Sequence, residues 1–122
     1  MHMHSIGPAQ VCSTARDHHI NLIDVRTPAE YAIVHAAGAV NIPLDELDAS
    51  KVAHLDPTEP VYLICKSGAR AAKAIHKLHA AGYRNLLNVH GGTDAWVAAG
   101  CRTCADATRS RSTGRCGSPP VR

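Results

Sequence analysis

The sequence predicts an α/β domain built on a mainly parallel sheet, and three observations carry that expectation. Short apolar, β-branched runs at residues 20–25 (INLIDV), 61–64 (VYLI) and 86–89 (LLNV) alternate with stretches of helical spacing. Such alternation is the pattern of strand–crossover–strand units, which pair their strands in parallel. The third observation is the loop Cys65-Lys66-Ser67-Gly68-Ala69-Arg70, which joins the strand at 61–64 to an alanine-rich helical stretch. Parallel sheets assemble their sites at the C-terminal ends of strands, and Cys65 stands at such an end.

Taken in order, residues 4–6 suit a short edge strand closed by Gly7-Pro8. Pro8 suits the first turn of a helix running to about Arg16, with Val11 and Ala15 facing the core. After the strand at 20–25, Thr27-Pro28-Ala29-Glu30 reads as a helix start, with Thr27 as N-cap and Glu30 completing a capping box. This helix carries Tyr31 and Val34 and ends near His35. Residues 38–43 form a short strand stopped by Pro43, and the acidic stretch 44–55 holds one or two short helical turns. In the helix after the loop, Ala71, Ile75 and Leu78 share one face and Lys73, His76 and Lys77 the other. Gly82 ends it. Residues 86–89 form a strand, Gly91-Gly92 a turn, and residues 93–99 a short helix bearing Trp96.

Composition bounds the function classes. A chain of 122 residues, 45% hydrophobic and 19% charged, suits one soluble globular domain. With no Phe and one Trp, its core rests on Val, Ile, Leu and Ala. No apolar run approaches the ~18 residues of a membrane span, and the N-terminus lacks the basic-then-apolar profile of a secretory signal. A cytoplasmic, reducing location is expected, with the five cysteines as thiols. Residues 1–100 carry eight Lys/Arg against nine Asp/Glu, whereas residues 101–122 carry five Arg against one Asp. The basic excess therefore belongs to the tail. With so few aromatics to stack on bases, the core is not expected to bind nucleic acid. The expected organisation is a domain over 1–100 and a basic tail over 101–122, which lacks Leu, Ile and aromatic residues and reads as disordered.

Only Cys65 among the cysteines has a setting that suits reactivity. Loop amides and a helix N-terminus both favour negative charge at that point. Arg70 supplies bidentate donors suited to an anionic substrate, and Lys66 adds positive charge at the pocket mouth. Ser67, Gly68 and Ala69 keep the loop small enough for its amides to point inward. The plainer alternative is a buried structural cysteine at a strand end. His76 and His79, three apart on one helix, complete no zinc pattern, so a solvated face is the simpler reading and no metal is expected. Cys101-Arg102-Thr103-Cys104 is a C-x-x-C that neither follows a strand nor finds a histidine in the tail, so the zinc and redox readings are both weak.

Four segments, in order, resemble the rhodanese family of sulfurtransferases. Leu22-Ile23-Asp24-Val25-Arg26 with Glu30-Tyr31 is similar to its first signature, and residues 35–43 (HAAGAVNIP) to its second. Residues 65–70 are similar to its active-site pattern C-x-x-G-x-R, and Gly91-Gly92-Thr93-Asp94-Ala95-Trp96 with Gly100 to its C-terminal signature. Val34 and Ala36 depart from the residues usual beside the histidine. The resemblance implies a three-layer domain with a five-stranded, mainly parallel sheet and helices on both faces. It implies a thiosulfate sulfurtransferase that works through a Cys65 persulfide, with Lys66, Ser67, Gly68, Ala69 and Arg70 holding the substrate. Asp24, Arg26, Glu30 and His35 are mainly framework by this resemblance, with Arg26, directly after a central strand, also the candidate for the pocket mouth. The implied partners are thiosulfate or another sulfane-sulfur donor and a thiol, cyanide or protein acceptor, with no nucleic acid, membrane or cofactor. The alternatives are a persulfide carrier or protein-interaction module and, with less support, a phosphatase or arsenate reductase. Some family members continue past this point into an apolar membrane hairpin, and the tail's Arg/Ser/Pro/Cys bias resembles an out-of-frame reading of GC-rich coding sequence.

Overall fold

A computed structural model describes residues 4–17, 20–53, 55, 58–66 and 68–104. Five strands form the main sheet: β1 (His4–Ile6), β2 (Asn21–Asp24), β4 (Val40–Asn41), β5 (Val61–Ile64) and β6 (Leu86–Val89), in the order β1-β6-β5-β2-β4. Every pairing in it is parallel. The sheet is the one expected from the apolar runs, with β5 at its centre.

Side chains of successive strand residues leave opposite faces of a sheet, and here they feed two cores. On one face Ile23, Val25, Val61, Leu63 and Cys65 pack with Ala71, Ala74, Ile75 and Leu78 of α3 (Ala69–Ala80). Leu47 and Val52, from two short 3-10 turns at Leu44–Glu46 and Ala49–Val52, close this side. On the other face Leu22, Tyr62, Ile64 and Val89 pack with Val11 of α1 (Pro8–Asp17) and Trp96 of α4 (Gly92–Ala98). Helices therefore cover both faces, giving the three layers. Lys73, His76, Lys77 and His79 lie exposed on the outer side of α3.

The chain leaves β2 through α2 (Pro28–Ile33) toward β4, and leaves β5 through α3 toward β6 on the opposite side. Adjacent strands whose connections diverge open a crevice at their C-terminal ends. Cys65 follows β5 at this point and Thr27 follows β2.

Several local features differ from the sequence expectation. The strand at 38–43 pairs only over Val40–Asn41, because Pro43 lacks an N–H for the ladder. The helix after Thr27 ends at Ile33, and its C-cap Val34 is extended. Helix α4 begins one residue early, at Gly92. A small antiparallel ladder, β3 (His35–Ala36) with β7 (Thr103–Cys104), was not expected; two-residue strands are too short to show a period. Chain pairing thus continues four residues past Gly100. The Arg102 carbonyl accepts hydrogen bonds from the buried Trp96 Nε1 at 2.7 Å and from Ala37 N at 3.0 Å. The disorder expected over 101–122 is thereby corrected for residues 101–104, which pair and pack; the remainder of the tail, with its out-of-frame reading, lies outside the described residues.

Cys12, Cys65 and Cys101 carry thiols. Cys104 is disulfide-bonded, which corrects the expectation of five thiols at that position. It sits, buried, on the short strand β7. Among the described residues no helix is long and apolar enough to cross a membrane, and no three His, Cys, Asp or Glu side chains converge as a metal site.

Candidate active site

The apolar strand β5 runs through the centre of the sheet and delivers Cys65 at its end, almost wholly buried. The chain then turns into α3, whose N-cap is Gly68 at φ +115°, ψ −18°, a conformation that side chains resist. The turn brings the Gly68 N–H to 2.9 Å from Cys65 Sγ, where it donates to the sulfur. Twelve residues of helix run away from this point, so the helix dipole also presents its positive end to the loop.

The backbone of the loop is held from two other elements. From β6, Asn88 Nδ2 donates to the Gly68 carbonyl at 3.1 Å, and that carbonyl also accepts the first α3 bond, from Ala72 N at 3.1 Å. From the start of α4, Thr93 N donates to the Cys65 carbonyl at 2.7 Å and Asp94 N to the Lys66 carbonyl at 3.4 Å. Gly92 lies so close that a Cβ there would meet the Cys65 carbonyl oxygen at 2.2 Å. The Thr93 hydroxyl is buried and has no hydrogen-bond partner among the described residues.

Arg70 leaves the first turn of α3 and forms a bidentate pair with Glu30, at 2.8 and 3.1 Å. Glu30 also completes the expected capping box: its carboxylate accepts from Thr27 N at 3.0 Å, and its own N–H donates to Thr27 Oγ1 at 3.2 Å. One carboxylate therefore serves the starts of two helices across the crevice. The Arg70 guanidinium, helped by the Thr27 bonds, lowers the Glu30 carboxyl from 4.5 to about 2 against an opposing effect of burial. Both side chains keep about a third of their surface exposed.

The predicted residues divide accordingly. Cys65, Gly68 and Ala69 come together at the strand end, with Ala69 opening α3. Lys66 is exposed on the rim, with Nζ 3.6 Å from the exposed Asp94 carboxylate. Ser67 lies outside the described residues. Arg70 is adjacent, but its two terminal nitrogens are engaged by Glu30. The Arg26 guanidinium is buried, 2.8 Å from Asp24 and donating to the Val34 carbonyl at 2.6 Å, the place of a framework residue rather than an open mouth. Asp24 is fully buried, and a buried carboxylate needs this counter-charge. Asn41 Nδ2 adds bonds to the Asp24 and Arg26 carbonyls, both at 3.0 Å, and His35 stacks on Tyr31 at 3.7 Å; this group is framework. Asn88, Gly92 and Thr93 were not singled out from sequence as loop supports. Only the Gly91-Gly92 pair offered a signal, and it pointed to a turn rather than to a close approach.

A buried thiol with a donor directed at its sulfur, beside a helix N-terminus, suits a nucleophile that becomes or carries an anion. The sequence profile of the rhodanese-like domain matches residues 8–99. YrkF of Bacillus subtilis is 34% identical over 66% of this chain and 43% of its own length. Thiosulfate sulfurtransferase 16, chloroplastic, of Arabidopsis thaliana is 33% identical over 68% of this chain and 78% of its own. The crystal structure of a rhodanese-related protein from Thermoplasma volcanium superposes with a TM-score of 0.70 at 30% identity, covering 82% of this chain and 96% of that one. The chain spans less than half the length of several curated relatives that it matches.

Proposed function

The chain belongs to the rhodanese-like domain family, and from that premise we propose that it is a sulfurtransferase working through Cys65. It takes sulfane sulfur from thiosulfate or a similar donor and passes it to a thiophilic acceptor. The observation that carries this reading is the Gly68 N–H aimed at Cys65 Sγ at 2.9 Å, at the start of α3.

In the first half-reaction the Cys65 thiolate attacks the outer sulfur of thiosulfate. A new S–S bond forms, the S–S bond of thiosulfate breaks, and sulfite departs with the electron pair. The Cys65 persulfide keeps the negative charge on its outer sulfur, where fixed dipoles at the helix start stabilise it without reorganisation. In the second half-reaction a thiol or cyanide attacks that outer sulfur and Cys65 leaves as thiolate, giving a ping-pong pattern. Lys66 on the rim draws anionic donors to the loop. Arg70 contributes by its field and by the loop geometry that its Glu30 pair enforces. No metal or organic cofactor enters these steps.

A persulfide carrier that hands sulfur to a protein uses the same residue and the same loop. The names of relatives favour keeping it as the second reading: YrkF is named for sulfur carriage, and another relative is an adenylyltransferase and sulfurtransferase from Ogataea parapolymorpha. Phosphoryl or arsenate chemistry fits less well, because only four residues separate Cys65 from Arg70 and the cradle is correspondingly narrow.

Intact-mass measurement after thiosulfate exposure tests the proposal. The wild-type chain is expected to gain one sulfur atom, removable by cyanide, and Cys65→Ser to gain none. A wild-type chain that gains nothing, or a gain that survives the substitution, overturns it.

A further inference from the structure

We propose that Asn88 is a positioning residue for the sulfur chemistry of Cys65, acting through the backbone on the carbonyl side of Gly68. The role rests on the sulfurtransferase reading for its chemistry and on the following geometry for its mechanism.

Gly68 is the point where the loop is easiest to deform. Its φ of +115° is open to glycine and strained for other residues, so rotation there has little steric resistance. It is also the point where deformation matters most, because its N–H is the donor to Cys65 Sγ. A change of φ at this residue would turn the donor away from the sulfur.

Among the described residues, two bonds hold the carbonyl side of Gly68, the peptide it shares with Ala69, and so fix the Cα from which the N–H side extends toward the sulfur. Ala72 N reaches the Gly68 carbonyl from the helix at 3.1 Å, and Asn88 Nδ2 reaches it from β6 at 3.1 Å. A carbonyl oxygen has two lone pairs, and these two donors use both. The helical bond moves with α3. Asn88 belongs to a neighbouring strand, paired in parallel to β5, so its donor is fixed to the sheet and not to the loop. Its side chain is buried, which strengthens the bond and keeps water from replacing it. The same side chain lies against Gly68 Cα, with Oδ1 3.7 Å from where a Cβ would stand. Asn88 thus ties the direction of the sulfur's donor to the sheet that also carries Cys65.

When Cys65 takes up sulfur, the negative charge moves outward by one atom and the surroundings of Sγ change. The α4 bonds hold the Cys65 and Lys66 carbonyls, so without Asn88 the Gly68 carbonyl alone would depend on its own helix and could relax in each half-reaction. With the carbonyl pinned by Asn88, the donor keeps one orientation through the thiolate and persulfide forms. That is preorganisation, whose value lies in the chemical step and not in substrate binding.

The test compares the wild type with Asn88→Ala and Asn88→Asp. Alanine removes the donor; aspartate keeps the shape but sets an acceptor against the Gly68 carbonyl. In the thiosulfate–cyanide assay both variants are expected to lose about ten- to a hundredfold in kcat with little change in KM, the size of one hydrogen bond to a charged group. Alkylation of Cys65 by iodoacetamide at fixed pH should slow in parallel, and this readout needs no sulfur transfer. If the wild type transfers no sulfur, the functional reading fails, and the alkylation rates still decide the role of Asn88. Unchanged kcat and alkylation in folded variants, or a loss confined to KM, overturn the inference. So does a loss of melting temperature large enough to account for the lost activity in both variants.

Discussion

Replacing Gly92 with alanine is a stringent test of how the loop is supported. An ideal Cβ at this position would lie 2.2 Å from the Cys65 carbonyl oxygen, 2.5 Å from the Lys66 carbonyl oxygen and 2.6 Å from the Lys66 carbonyl carbon. All three are backbone atoms, so no rotamer change relieves the clash. Bringing these contacts to normal separation requires the start of α4 or the Cys65–Lys66 backbone to move by about 1 Å, in an interior packed too tightly to absorb it. The Thr93 N–H bond to the Cys65 carbonyl, now 2.7 Å, would stretch or break with that shift. Overpacking of this kind costs about 1–3 kcal/mol, and the positive φ of +61° adds about 1 kcal/mol for a residue with a Cβ. A displacement of about 1 Å at a reacting group costs on the order of a hundredfold in rate. Gly100→Ala is the matched control. Its φ is +77° with nothing within 4 Å of the added carbon, so it carries the conformational cost alone. Gly92→Ala should therefore melt well below Gly100→Ala and lose about a hundredfold in thiosulfate–cyanide transfer, while Gly100→Ala keeps its activity. Equal melting temperatures and equal activities in the two variants would refute the close-approach argument.

Two further perturbations follow from bonds already described. In Glu30→Gln the amide still caps α2, so the comparison isolates the charge. The depressed carboxyl converts to about 3 kcal/mol at face value, reduced to about 1–2 kcal/mol because both partners are one-third exposed. A carboxyl whose pKa falls on folding stabilises above its unfolded value and loses that contribution as pH falls through the folded one. The wild-type advantage in melting temperature should be constant above about pH 5 and vanish toward pH 2; an advantage independent of pH would contradict the pairing. Ending the chain at Gly100 removes the Arg102 carbonyl and leaves the Trp96 and Ala37 donors unmet, at about 1–3 kcal/mol each. Such a chain should melt about 10 °C below one ending at Cys104, and calorimetry showing equal transitions would count against β7 as part of the domain.

The legible part of this protein was the part written locally. Thr27-Pro28-Ala29-Glu30 states its capping box within four residues, and the structure forms it bond for bond. The apolar runs at 61–64 and 86–89 and the Ala71, Ile75, Leu78 face followed from period alone. The placement of Cys65 between a strand end and a helix start was legible because strand, loop and helix are contiguous around it. What escaped were relations between distant residues. Arg70 read as a substrate ligand because its sequence neighbours show no acid; the acid is Glu30, forty positions away, already accounted for as a cap. Arg26 read as a mouth residue because the burial of Asp24 has no sequence mark. Asn88 sits in the apolar run Leu86-Leu87-Asn88-Val89, where one polar residue gives no hint that it points at the loop.

The double engagement of Glu30 bears on whether the six-residue loop can be moved to another scaffold. Its first helical turn takes its orientation from a carboxylate that lies outside the loop and is itself fixed by a second helix start. A transplant of residues 65–70 alone would carry the nucleophile and its glycine without the anchor that orients Arg70. The smallest portable unit is a pair of neighbouring strand ends, each with the first turn of its helix. Grafts that honour that unit should keep the reactivity of Cys65, and grafts of the bare loop should yield an ordinary thiol.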